Sequence, residues 1–166
     1  MSSYVANESY KHKYAKKVFK KWCQEKEFFN TNFFDYFGYD TYEKISWTSN
    51  RAKHAWLEYP IVVNDKYDSV KYNWDEIWGD CPSSFVPTFN DCKKRKMYPA
   101  AIVDVVLTNK GMPTYFIEIC HKNPVSKSKL EKLESLGVPN LIEIDADWIL
   151  NQTKRPEKLE IKRWLI

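Results

Sequence analysis

The hydrophobic pattern of this chain is clear at its two ends and irregular between them. Near the start, Ala15, Val18, Phe19, Trp22 and Cys23 recur at helical spacing, with lysines filling the opposite face. That pattern predicts an amphipathic helix over 7–26. Asn7 is its expected N-cap, and Glu8 follows in the first turn, where a carboxylate suits the helix dipole. From Tyr98 onward the elements follow in order. AAIVDVVL is a strand, TNKGM a turn and PTYFIEIC a second strand. SKSKLEKLESL is a helix, with Ser126 as cap, Leu130, Leu133 and Leu136 as inner stripe, and Gly137 as its end. NLIEID is a third strand, and the chain closes on the apolar-basic segment IKRWLI. The stretch 27–98 is aromatic-rich, with a strand expected at 55–63 (AWLEYPIVV), a short helix near Trp74–Trp78, and a loop over 80–91 that holds Pro82 and Pro87. Helix, strand, hairpin, helix, strand implies an α/β domain with a mixed sheet flanked by helices.

Two charges break the apolar strands. Asp104 lies between Val103 and Val105, and Glu118 between Ile117 and Ile119. A charge inside a half-buried strand is costly unless it is paired or binds a cation. A turn centred on Gly111 sets Asp104 opposite Glu118 on one face, about 5 Å apart at Cβ. Two carboxylates that close repel unless something positive lies between them. Mg²⁺ or Mn²⁺ suits an all-oxygen site of this kind and can polarise a phosphodiester while activating water. The bland alternative is a structural salt bridge with a lysine such as Lys129 or Lys13. On the first helix Glu8, His12 and Lys16 follow at i, i+4 and i+8 and share a face. They form either a surface ladder or an extension of the acidic site, with Glu8 as a third acid and His12 and Lys16 near a phosphate.

These residues resemble a known group. IVDVVLTNKGMPTYFIEICHKNPVSKSKLEKLESLGVPNLIEID is similar to the PD-(D/E)xK restriction-endonuclease-like superfamily, especially its competence-protein CoiA-like branch. ESYKHKYAKKVFKKW resembles that branch's opening helix, and LEYPI looks like its first core strand. The same segments are similar to proteins of large DNA viruses. The resemblance covers roughly 7–26 and 96–147. It implies a restriction-endonuclease-like αβββαβ core and metal-dependent cleavage of a nucleic-acid phosphodiester, DNA favoured. Asp104, Glu118 and Glu8 correspond to its acids and expected metal ligands. The lysine usually found two residues after the second acid is replaced by Cys120. Lys129 on the next helix and Lys122 at matching strand parity are the expected substitutes, Lys129 preferred, with His12 beside the phosphate. The alternative is a scaffold that binds nucleic acid or protein without cutting.

Composition changes this picture little. The chain has 166 residues, enough for one domain over 1–166, with 43% hydrophobic, 29% charged and 16% aromatic residues. A net charge of +4 permits a nucleic-acid partner without demanding one. The basic run 93–96, with Lys94 and Arg95, is a candidate phosphate contact, as are Lys16, His121 and Lys122. Trp47, Trp56, Trp74 and Trp78 fit core packing better than base stacking. Cys81 and Cys92 lack the close pairing of a zinc site. Cys120 and His121 are adjacent in a strand, so they point apart and make a poor nucleophilic dyad. The opening residues lack an apolar secretory core and no apolar run is long enough to span a membrane, so an intracellular protein with free thiols is expected. A homodimer is a further expectation, since nucleases that cut both strands often pair.

Overall fold

The computed structural model describes residues 9–34, 42–47, 55–63, 94, 98–109 and 112–166. The expected helix near Trp74–Trp78 and loop over 80–91 lie outside these residues, as do Glu8, Arg95, Cys81 and Cys92. Helix α1 spans Tyr10–Glu25 and starts later than the pattern predicts. Its cap is Ser9, not Asn7: Ser9 is extended, and its hydroxyl accepts the His12 backbone N–H at 3.1 Å. At the other end Arg155 donates to the carbonyls of Trp22 and Phe28 and stacks 3.8 Å over the Phe29 ring. Of the carbonyls that the helix end leaves open, Cys23 accepts from Trp47 Nε1 at 3.2 Å and Lys26 from Arg155 Nη2 at 3.4 Å, so residues distant in sequence satisfy both.

Strands β1 (Phe28–Phe34) and β2 (Tyr42–Ser46) form an antiparallel pair in the region that the hydrophobic pattern left unassigned. Strand β3 (Ala55–Val63) matches the expected range. Strands β4 (Tyr98–Asn109) and β5 (Met112–Cys120) make the hairpin, and helix α2 (Lys127–Ser135) follows, capped by Ser126 as expected. Its end is set by Gly137, whose φ of +82° is the left-handed conformation glycine adopts cheaply. Strand β6 (Leu141–Asp145), helix α3 (Ala146–Leu150) and the short strands β7 (Lys158–Leu159) and β8 (Arg163–Trp164) complete the chain.

The strands form two mixed sheets flanked by helices, ordered β3-β4-β5-β6-β8 and β2-β1-β7. In the larger one β5 and β6 run parallel, joined across α2, and the other pairs are antiparallel. Alternation along the strands sends side chains to two cores. Val105, Leu107, Ile117, Ile119, Ile142 and Ile144 pack with Ala15, Phe19 and Trp22 of α1 and with Phe29 and Ile45 of the smaller sheet. Val106, Phe116 and Leu141 pack with Leu133 of α2. Trp47 and Trp56 are buried in these cores, as expected for packing.

One irregularity positions the site. Ala55 belongs to the α1 core, yet Tyr59 and Ile61, of the same parity, belong to the α2 core. On β4 the same switch separates Val103 from Val105. Both inversions fall at Glu58 and Asp104, between the pairs Leu57↔Val105 and Tyr59↔Val103. Glu58 takes a left-handed φ of 53°, a conformation that costs a side chain roughly 1 kcal/mol or more. A strand that turns over at this point can present Asp104 beside α1, while its hairpin partner looks toward α2.

Candidate functional site

The hairpin register follows the expected turn over its inner part. Val105 faces Ile117, Val106 faces Phe116 and Leu107 faces Tyr115, and the ladder ends there, one residue short of Asp104 and Glu118. The turnover of β4 at Asp104 means that shared parity no longer sets the two on one face, yet their carboxyl groups still meet in a hydrogen bond. Nearer the turn the ladder slips by one residue, at Leu107/Thr108. Both carboxylates are buried, Asp104 at 8% exposure and Glu118 at 5%.

Their surroundings differ. Asp104 Oδ2 accepts the Ile119 backbone N–H at 2.9 Å and lies 3.2 Å from His12 Nε2. Lys16 Nζ is 3.6 Å from Oδ1 and also pairs with Glu58. Burial opposes ionisation of Asp104, but the hydrogen bonds from His12 and Glu118, the Lys16 charge and the Ile119 amide outweigh it and draw its pKa down to about 2. Glu118 has less help. Lys129 Nζ stands 2.6 Å from its Oε1. Burial, then the Asp104 charge, push the Glu118 pKa up to about 8 against that lysine. The pair therefore tends to hold one proton between two carboxyl groups, the expected state of adjacent buried acids.

A cavity of about 490 Å³ opens onto this pair, lined by Ser9, His12, Asp104, Glu118, the segment 119–126 and Lys129. Ser9 Oγ and His121 Nδ1 are 2.9 Å apart, and Asp147 Oδ1 is 3.8 Å from His121 Nε2. Lys122 follows the end of β5, exposed and with φ at 72°, on the cavity wall. His121 follows the end of β5, so strand alternation does not apply to it, and it lines the cavity together with Cys120, each with its own partners. Cys120 is buried and hydrogen-bonded to Glu143, and burial first, then Glu143, raise its thiol pKa to about 12. That favours the thiol form, the weaker nucleophile.

The structure thus brings together Asp104, Glu118, His12, Lys129, His121 and Lys122. Lys16, expected near a phosphate, is instead buried at 4% exposure and neutralises Asp104 and Glu58. Lys94 is exposed and does not line this cavity. Of the two lysines offered as salt-bridge partners, Lys129 takes that place on Glu118 and Lys13 is exposed. Sequence reasoning missed Glu58 and Glu143. Both carry the signal that marked Asp104, a charge inside an apolar run, in LEYPI and LIEID.

Among the described residues no three His, Cys, Asp or Glu side chains converge as a ready-made metal cage. The donor chemistry still suits a hard divalent ion. Two buried carboxylates held beside each other, with the Glu118 pKa raised by burial and then by the Asp104 charge, gain from a cation that lets both ionise. Fold and site together define a mixed α/β domain with a paired-carboxylate pocket between α1 and the first turn of α2. No family model, curated protein or solved structure matches the chain. What the pocket does is therefore argued from its chemistry.

Proposed function

We propose that this chain is a metal-dependent nuclease of restriction-endonuclease-like αβββαβ architecture that hydrolyses nucleic-acid phosphodiester bonds, DNA favoured. The observation that carries this reading is the Asp104–Glu118 pair, two buried carboxyl groups in hydrogen-bonding contact on a cavity rimmed by His12, His121, Lys122 and Lys129. Acidic floor and basic rim are what a phosphodiester site needs, one part for a cation and the other for the phosphate. Asp104 and Glu118 would hold Mg²⁺ or Mn²⁺, with Glu8 as a further ligand. The bound ion would supply Lewis acidity and lower the pKa of the attacking water.

The chain's own residues have separable tasks. The Ile119 amide and His12 fix the Asp104 carboxylate in one orientation. Lys16 compensates its charge from beneath without reaching solvent. Lys129 projects from the first turn of α2 onto Glu118, and its half-exposed ammonium is placed to turn from Glu118 to developing negative charge on a phosphate. It takes the task that Cys120 cannot perform. Ser9, His121 and Lys122 supply donors at the rim.

The test is cleavage of plasmid, single-stranded DNA and RNA by purified protein with Mn²⁺ or Mg²⁺. Cutting that requires the ion and disappears in Asp104→Ala is expected. No cutting of any substrate under any of these conditions would overturn the enzyme reading. A second reading, a nucleic-acid-binding or protein-interaction module that does not cut, is favoured by the Cys120 thiol in the lysine's place. It predicts binding without cleavage. A homodimer that cuts both strands would appear by sedimentation as a twofold mass.

A further inference from the structure

Helix α1 buries Ala15, Phe19, Trp22 and Cys23 on one side. On the opposite side Tyr10, Tyr14, Lys17 and Lys21 follow at i, i+4, i+7 and i+11, a single outward stripe. Tyr10 is 81% exposed and Tyr14 50%, and they are the exposed large hydrophobic residues among those described. Their rings lie parallel, with centroids 6.1 Å apart and planes within 5°. Lys11, Lys13, Lys17 and Lys21 are exposed around them, and Glu25, at the far end, is the helix's one acid.

The stripe starts one residue after a lining residue of the first cavity and runs into a second. Ser9, directly before Tyr10, lines the Asp104–Glu118 pocket. Tyr14, Lys21 and Glu25 line a second cavity of about 490 Å³, between α1 and the end of α3 with the segment after it, where Lys154 and Arg155 outnumber the one acid. We propose that Tyr10 and Tyr14 form a stacking platform for single-stranded nucleic acid, which runs from the carboxylate pocket along α1 toward Lys21 and Lys154. The proposal rests on nucleic acid as the ligand of the pocket and narrows it to unpaired strands. Parallel exposed rings bind flat π-faces, and lysines spaced along the same helix bind a backbone of regular negative charge. A duplex hides its base faces in its own stack, so it offers the lysines a partner and the tyrosines none. An acidic protein surface would likewise engage the lysines without needing parallel rings.

The experiment is metal-free, so it reads the platform whether or not the carboxylate pair cuts. Full-length protein in EDTA is titrated into a short fluorescein-labelled oligothymidylate, into its duplex with oligoadenylate, and into an abasic strand of equal charge. The single strand is expected to bind tightest. Tyr10→Ala/Tyr14→Ala should weaken that binding about tenfold or more, in the range for loss of base–aromatic stacking. Tyr10→Phe/Tyr14→Phe should restore it, because stacking needs the ring and not the hydroxyl. Circular dichroism of both variants checks the helix. Equal affinity for the abasic strand, equal affinity after the alanine changes, tighter duplex binding, or no binding would each overturn the platform. Protein that cuts with Mn²⁺ while ignoring the tyrosine changes would keep the nuclease reading and lose this one.

Discussion

Glu118 and Glu143 are neighbours in register on parallel strands, both buried, yet they live under opposite conditions. Glu143 is saturated: Arg163 grips it with Nε at 2.8 Å and Nη2 at 2.7 Å, and the Val125 N–H donates at 2.7 Å. Burial resists its ionisation, but Arg163 and the Val125 amide overcome that and take its pKa down to about 2. Glu118 has one lysine, and the carboxylate of Asp104 lies against it. A buried acid whose needs are met inside the fold ties elements together, here β8 and the 121–126 segment to β6. A buried acid left in conflict with another acid is a place where a ligand has something to gain. The difference separates a structural carboxylate from a functional one, and it can be attacked from either side.

Arg163→Ala should have the largest effect on stability. It strands the Glu143 charge, and urea denaturation should show a loss of about 2–3 kcal/mol, the low end for a broken buried pair because Arg163 is 43% exposed. Glu118→Gln should do the reverse. The neutral amide stands in for the protonated carboxyl that the folded chain favours, so metal-free stability should hold near neutral pH and rise above it, while metal-dependent cleavage falls by more than the roughly 10–100-fold typical of a lost outer-shell partner. A Glu118→Gln protein as destabilised as Arg163→Ala would erase the distinction.

Acidity gives a third test, because the two glutamates act in separate pH windows. Glu118 keeps its proton to about 8 in the folded chain, against an ordinary value of 4.5. Between these values the folded state binds more protons than the unfolded, so stability should fall as pH rises. Glu143, at about 2 when folded, adds stability above 4.5 that is lost as pH falls toward 2. Denaturation across pH in EDTA should show both slopes. Glu118→Gln should flatten the upper one alone, and Mn²⁺ should oppose it in the native protein. The smallest effect belongs to neither acid. Ser126→Ala removes the α2 cap beneath Lys129 and should cost about 1 kcal/mol with little change in the pH profile.

Local pattern carried much of this architecture. The hairpin register, the Ser126 cap and the stop at Gly137 were legible because each depends on residues within one or two turns of chain. The face of α1 that holds His12 and Lys16 was legible for the same reason. What the pattern could not disclose depends on distant partners. FFNTNFF reads as an aromatic tract until its pairing with Lys158 and Leu159 is known. Arg155 caps α1 from more than a hundred residues away. The turnover at Glu58 and Asp104 needs β3 laid on β4, and only then does Asp104 meet α1 and Lys16 sink beneath it. Glu143 was visible as a charge among isoleucines, but its place beside Glu118 comes from a parallel pairing across α2 that no short window contains. Cys120 was visible as a departure, and its reason is that same neighbour.

Metal binding tests the central claim most directly. Calorimetric titration of Mn²⁺ into full-length protein should reveal one saturable site near neutral pH. Asp104→Asn and Glu118→Gln should each abolish it, while Glu131→Gln, an exposed acid paired with Lys127 on α2, should leave it intact. No saturable binding, or binding that survives both substitutions in the Asp104–Glu118 pair, would contradict the account.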